Sequence, residues 1–248
     1  MITEEIMGFP VDVITYNEII KDLPEYLQSD KKMSAISVNP QIIVEGQNRS
    51  EIYEFIKKST HRIPDGIGIV LVSKLLGGQI KERVAGIELM YRFLEYANTY
   101  KKSIFLYGAK PEVVADAAEK IQKDYPNLIL SGRIDGYTDL SETEIIEKIN
   151  YSKPDFLFVA LGFPKQEEWL ARNIPQLDVS VFQDVGGSFD VLSGHVKRAP
   201  QFFIDVHLEW LYRSLTDRKR FKRILQLPVF VIKSLCWKVR TRNDKKNS

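Results

Sequence analysis

The sequence predicts an α/β protein built on a largely parallel sheet, followed by a helical, basic appendage. Three observations carry this reading. Short apolar runs alternate with helix-patterned segments, helix-start signals fall between those runs, and composition changes after Pro200 to a long basic and aromatic stretch.

In chain order, Thr15 and Glu18 have capping-box spacing and open the first helix. Ser34–Val38 reads as a buried strand, and a further strand leads into Asp65 ahead of an apolar helix ending near Leu76. The region Thr99–Ser103 is a seam that could divide two βα halves. Ser103–Tyr107 is the next strand, and Pro111, suited to a first helical position, opens a helix to about Tyr125. Leu128–Ser131 is a strand, Ser141 and Glu144 repeat the capping-box spacing, and Asp155–Leu161 is a strand that stops at Gly162. A helix opens after Pro164, and Val179–Phe182 is the last strand. Residues 1–199 therefore form the body and residues 200–248 the appendage.

At 248 residues and 44% apolar, the chain has the composition of a folded protein and not of a disordered one. Its single cysteine, Cys236, excludes an internal disulfide framework and suggests a reducing compartment. His61, His195 and His207 have no Cys or His at ligand spacing, so no metal site is expected. The first residues carry acids in place of the basic start of a signal peptide, which argues for a cytoplasmic protein.

The net charge of +2 conceals an asymmetry, because residues 206–248 hold 12 Lys/Arg against 3 Asp/Glu. That end wants an anionic partner. On a helix, Arg213 and Arg220 are seven apart and share a face, with Arg223 three residues further along it. An arginine fork on a diphosphate makes charge-assisted hydrogen bonds worth about 1.5 to 3 kcal/mol each. Such a charge run also reads as a solvated face, but Trp210, Tyr212, Phe221 and Trp237 among the bases favour an interfacial helix. The weakly charged run Pro228–Val239 is far shorter than the ~20 residues needed to cross a bilayer, so it can lie on a membrane and not span one.

Three places in the body could carry chemistry. Asp65, beside Gly66 and Gly68, follows a strand, where open α/β sheets hold ligands. Asp-Gly is also common turn and cap chemistry, and locally that is the commoner fate. In LGFPKQEEWL, Lys165 and Gln166 could donate to a ligand at a helix start, whereas Glu167 and Glu168 read as partners of the helix dipole and Trp169 as core. In DVGGSFDVLSGHVKRAP, Gly186 and Gly187 would let a ligand approach the backbone, although they would equally serve a tight turn. The turn YGAKPE lacks G-x-G-x-x-G, which counts against a dinucleotide site. No Asp-x-Asp pair occurs to hold a metal on a nucleotide diphosphate.

Taken in order, DGIGI, RVAGIELM, LGFPKQEEWL, GGSFDVLSGHVKRAP and LEWLYRSL resemble the WecG/TagA/CpsF family of glycosyltransferases, from about Gly8 to Arg223. The resemblance implies a Rossmann-like body and an inverting, metal-independent transferase without cofactor. It implies a UDP-sugar donor, commonly UDP-N-acetylmannosamine, and undecaprenyl-diphosphate-linked N-acetylglucosamine as acceptor, in wall teichoic acid linkage-unit or related polysaccharide synthesis. By the resemblance Asp65 is similar to the family's general base, with Asn39, Arg83 and Gln166 lining the sugar and acceptor pocket. Gly108, Tyr137, Gly187 and Asp190 look like nucleotide-side positions, and Arg213, Arg220 and Arg223 like arginines closing over the diphosphate. The chain departs from the family pattern at His207, where glycine is frequent, and at Thr216–Lys219, where a proline-containing turn is usual.

The expected setting is peripheral, at the inner face of the membrane through the tail, with self-association suggested by the resemblance. Two other readings stand beside this one. A nucleotide-binding α/β module without transferase activity would show tight NAD binding. A nucleic-acid partner for the basic tail has no recognition fold to support it.

Overall fold

The computed structural model describes residues 1–200, 202–203 and 226–244. Its centre is a parallel six-stranded sheet in the order β4-β3-β8-β7-β5-β6. The strands are β3 (Met33–Val38), β4 (His61–Pro64), β5 (Ser103–Gly108), β6 (Ile129–Ile134), β7 (Phe156–Ala160) and β8 (Val181–Asp184). All five strands expected by position are present. β6 and β8 run further along the chain than expected, to Ile134 and Asp184, because ladder pairing continues past the apolar run that marks each strand.

Period-two alternation sorts the side chains onto two faces. On one face Met33, Ala35, Ile104, Leu106, Phe156 and Phe158 meet α1 (Tyr16–Leu27), α5 (Gly86–Thr99), α6 (Pro111–Asp124) and α9 (Ser188–Leu192). On the other, Ile36, Val38, Phe105, Tyr107, Leu157 and Val159 meet α2 (Pro40–Gly46), α3 (Ser50–Lys58), α4 (Ile67–Leu75), α7 (Glu142–Ser152) and α8 (Lys165–Asn173). Phe156 and Phe158 are fully buried and stacked. Truncating either to alanine would cost about 3 to 5 kcal/mol.

The helix starts follow the local code. Thr15 and Ser141 each accept from the backbone N–H of the glutamate three residues on, while Glu18 and Glu144 reach back to the cap residues. Pro111 occupies the start of α6, whose Val113, Val114, Ala117, Ala118 and Ile121 form its buried stripe. α4 buries Ile69 and Val72 in the core and leaves Leu71 and Leu75 exposed.

An antiparallel hairpin of β1 (Thr3–Ile6) and β2 (Phe9–Asp12) precedes the sheet. Its two-residue turn, Met7 and Gly8, has positive φ at both positions, as a primed hairpin turn requires. Buried Asp12 accepts from the Arg62 backbone N–H at 2.8 Å and from its guanidinium at 2.8 to 3.1 Å, fastening the hairpin to edge strand β4. His61, buried next to it, is held below the usual imidazole range by burial, and its ring faces Thr60 and Asp22.

The final described helix, α10 (Gln226–Asp244), packs against α2 and α4. Phe230 is fully buried within the α2–α4 face of the core. Gly68 makes the close approach feasible, since a Cβ there would stand 2.6 Å from Leu227 Cδ1 and 2.8 Å from Pro40 Cγ.

Candidate active site

The strand ends all point to one edge of the sheet, and parallel register places Val38, Pro64, Gly108, Ala160 and Asp184 along it. A cleft of about 440 Å³ opens over the β4, β3, β8 and β7 portion of that edge. Ligand sites of open α/β sheets lie in this position.

Asp65 stands at the end of β4, its backbone N–H donating to Val38 O at 3.0 Å and Ile63 O at 2.9 Å. Gly66, at φ +93°, then turns the chain into α4 in a conformation that favours glycine. The extended segment before α5 is tied to the same strand by Val84 N–H on Pro64 O at 3.0 Å. This sets Arg83 beside Asp65, with Nε 3.7 Å from Oδ1. The pair is partly open, at 25% exposure for the Asp65 side chain and 15% for Arg83. Arg83 is the only Lys or Arg among the described residues lining the cleft.

Asn39 lies at the end of β3 and caps α2, its Oδ1 accepting from Ile42 N–H at 3.0 Å. Gln166 sits in the first turn of α8, after the Gly162 turn and a cis Phe163–Pro164 peptide. Its amide is bonded on all sides. Oε1 accepts from Gly162 N–H at 3.2 Å and Gly186 N–H at 3.1 Å, and Nε2 donates to Glu167 Oε1 at 3.0 Å and Asp184 Oδ2 at 3.3 Å.

Glu167 and Asp184 are both buried. Burial pushes the Glu167 carboxyl up to about 7. Burial, reinforced by the charge of Glu167, raises Asp184 well above the usual carboxylate range. The helix-dipole expectation therefore fails for Glu167, where loss of water outweighs the favourable end of α8. Glu168 points outward to Arg49 at 2.9 Å, and Trp169 is core, packed on Tyr107.

The cleft thus gathers Asn39, Asp65, Arg83, Gln166 and Gly187. Gly108, Tyr137 and Asp190 do not line it. Gly108 ends β5 two strands from β8, and Tyr137 is 71% exposed on the loop after β6. These two share a neighbourhood, because Gly136 N–H donates to Ala109 O at 2.8 Å. Asp190 lies in α9, whose first turn borders the cleft at Gly187 and Ser188. Lys165 is exposed and off the cleft. His195 and Arg198 serve the fold, donating to Asp116 and pairing with Glu88 respectively. Arg213, Arg220 and Arg223 lie outside the described residues.

Ser37, Asp184 and Leu227, none of them singled out from sequence, also line the cleft, as does Glu167, which its sequence position assigns to the helix dipole. Asp184 closes a buried strand, and an acid in that position is itself a signal. Among the described residues no group of three His, Cys, Asp or Glu could hold a metal ion.

The profile of the glycosyl transferase WecG/TagA/CpsF family matches residues 4–244. The chain is 40% identical over 206 residues to a Bacillus spizizenii protein, covering 83% of this chain and 80% of that one. It is 35% identical over 231 residues to a Staphylococcus aureus protein, covering 92% and 91%. Both relatives are named N-acetylglucosaminyldiphosphoundecaprenol N-acetyl-beta-D-mannosaminyltransferase. With most of its length matched, and with the family's DGIGI and LGFPKQEEWL segments forming the walls of one cleft, this chain belongs to the WecG/TagA/CpsF family of glycosyltransferases.

Proposed function

We propose that this enzyme transfers N-acetylmannosamine from a UDP-sugar to N-acetylglucosamine on undecaprenyl diphosphate, by a single inverting displacement without a metal ion. The carrying observation is Asp65, a carboxylate partly open to the cleft at the end of β4 and 3.7 Å from the Arg83 guanidinium. In this reading Asp65 takes the proton of the acceptor hydroxyl as its oxygen attacks C1, and the C1–O bond to UDP breaks on the opposite side. Arg83, 3.7 Å away, orients Asp65. Asn39 faces the acceptor side. Gly108, Tyr137, Gly187 and Asp190 receive the nucleotide, and Arg213, Arg220 and Arg223 stabilise the charge that develops on the departing diphosphate.

The acceptor is a lipid, and α10 offers a surface for it. Its inward stripe is buried Phe230 and Ser234 with half-buried Leu227 and Val231, while Val229, Ile232, Cys236 and Val239 follow helical spacing on the outside. Exposed Lys233 and Arg240 lie next to that outer stripe. No described helix is long and apolar enough to cross a membrane. In this reading the exposed apolar stripe lets α10 lie along the lipid surface and bring the cleft to the acceptor headgroup.

The test is UDP release by purified protein given UDP-N-acetylmannosamine and a lipid-diphosphate-N-acetylglucosamine analogue. Asp65→Ala should lower kcat by about 10³, within the span of general-base contributions, while melting stays near wild type. Wild-type turnover in Asp65→Ala would remove the base assignment. Equal rates with UDP-glucose would remove the donor assignment.

A further inference from the structure

Glu167, Asp184 and Asp65 bring three carboxylates around a cleft whose described lining contains one guanidinium, that of Arg83. Three ionised acids would leave a strong excess of negative charge, two of them out of water. The hydrogen bonds show where that excess is relieved. Both oxygens of Asp184 accept from N–H donors, Oδ1 from Ser37 N–H at 2.8 Å and Oδ2 from Gln166 Nε2 at 3.3 Å. Glu167 Oε1 accepts from the same Nε2 at 3.0 Å, but its Oε2 is buried with no hydrogen-bond partner among the described residues. A bare carboxylate oxygen in that place is strongly unfavourable, and a proton on it removes the buried charge.

We propose that Glu167 and Asp184 hold one proton between them across the Gln166 amide, Glu167 being the protonated member, and that this pair is the positioning unit for the cleft floor. Gln166 passes the constraint on. Its Oε1 staples the Gly162 turn after β7 to the Gly186 turn after β8. Asp184 ties the same unit to β3 through Ser37, two residues before Asn39. Gln166 thus uses its whole hydrogen-bonding capacity on the protein and acts as a positioning residue. The groups facing the pair are Gln166 and Glu168 on α8, Ser37 on β3, and Asp65 with its neighbour Arg83 beyond β4. None of these except Arg83 is cationic.

The kinetic consequence rests on the transferase reading, whereas the stability consequence does not. A buried acid whose folded value is about 7 against 4.5 keeps its proton in the folded state after the unfolded chain has lost it. The contribution of Glu167 to stability therefore falls as pH rises from about 4.5 to about 7 and changes no further above that.

The experiment compares wild type with Glu167→Gln and Asp184→Asn, first by melting of the substrate-free protein from pH 4.5 to 8. Glutamine at 167 imitates the protonated acid, so the melting temperature of Glu167→Gln minus that of wild type should widen by about 3 °C or more up to pH 7 and then hold. A constant difference would overturn the proposal. Asp184→Asn has one acceptor for two N–H donors and should melt below wild type at every pH. If it melts with or above Glu167→Gln, the assignment of the proton to Glu167 is wrong.

In turnover, wild-type kcat should fall above pH 7, Glu167→Gln should extend it to higher pH, and Glu167→Ala should lose about tenfold at pH 7. Coincident alkaline limbs for wild type and Glu167→Gln would overturn the positioning role. If no donor supports wild-type UDP release, the transferase reading fails, and the melting series still decides whether the proton is shared.

Discussion

At the β3–β4–β8 end of the sheet's edge, three carboxylates and Arg83 surround a cleft, whereas at the β5–β6 end the turns present Gly108, Ala109 and Gly136 with Tyr137 exposed. The first end is held by side-chain hydrogen bonds in a largely dry setting, where a fixed charge has its strongest effect on a reacting bond. The second is held by backbone hydrogen bonds with a short Asp135 side-chain bond to Tyr137 N–H, and is open, which suits a flat, polar ligand bound along its length. One fold therefore supplies two kinds of surface from the same structural position. The difference arises from the residue type at each strand terminus: a carboxylate after β4 and at the end of β8, glycine at the end of β5.

The sharpest way to break this contrast is at Gly108. Its φ is +118°, and a Cβ there would stand 2.4 Å from Ala160 O on the neighbouring strand. Neither partner can retreat without parting β5 from β7, so Gly108→Ala should cost at least about 2 kcal/mol from backbone strain and overlap. Urea unfolding measures this directly. A midpoint equal to wild type would show that the β5 turn is loose, and that its glycine is there for the ligand alone.

The two ends also differ in what covers them. α10 reaches the cleft through Leu227 and leaves Ile232 61% exposed on its outer stripe, whereas α7, beside β6, carries Tyr151 at 91% exposure. If the cleft end is the membrane end, Ile232→Glu should weaken binding to anionic vesicles about tenfold, the scale of one lost apolar side chain plus an added negative charge. Tyr151→Glu should leave binding within twofold. Equal losses from both substitutions would mean that attraction to the vesicle is diffuse and not centred on α10.

Much of this contrast is legible in the chain, and the illegible parts have physical reasons. Strands β3, β5 and β7 announce themselves because both faces are covered, giving continuous apolar runs. Thr15, Ser141 and Pro111 mark helix starts because caps act over three residues. The β1–β2 hairpin is hidden, since its strands are only four residues long, and Thr3-Glu4-Glu5 offers no apolar run. Asp65 is visible as a strand-end acid, but Asn39 and Arg83 need the register of β3 on β4 and the Val84–Pro64 hydrogen bond to reach it. Glu167 misleads for a related reason. An acid in a first helical turn looks like a dipole partner until the fold removes its water, and removal of water is a tertiary property.

The smallest expected effect tests the open end. The Tyr137 backbone is fixed by an Asp135 side chain accepting from its N–H at 2.8 Å, yet the ring itself is 71% exposed. A ring presented in this way contributes little to the fold, and under the proposed nucleotide-side role it would stack on the base. Stacking of a base on an aromatic ring is worth about 1 to 3 kcal/mol, and an exposed ring gives the low end. Tyr137→Ala should therefore raise the KM for the nucleotide-sugar about fivefold and leave kcat within twofold, with stability within about 0.5 kcal/mol of wild type. Tyr137→Phe should behave as wild type, because the face of the ring and not its hydroxyl makes the contact. A fall in kcat with KM unchanged would instead place Tyr137 at the reacting bond, and the division of labour between the two ends would have to be redrawn.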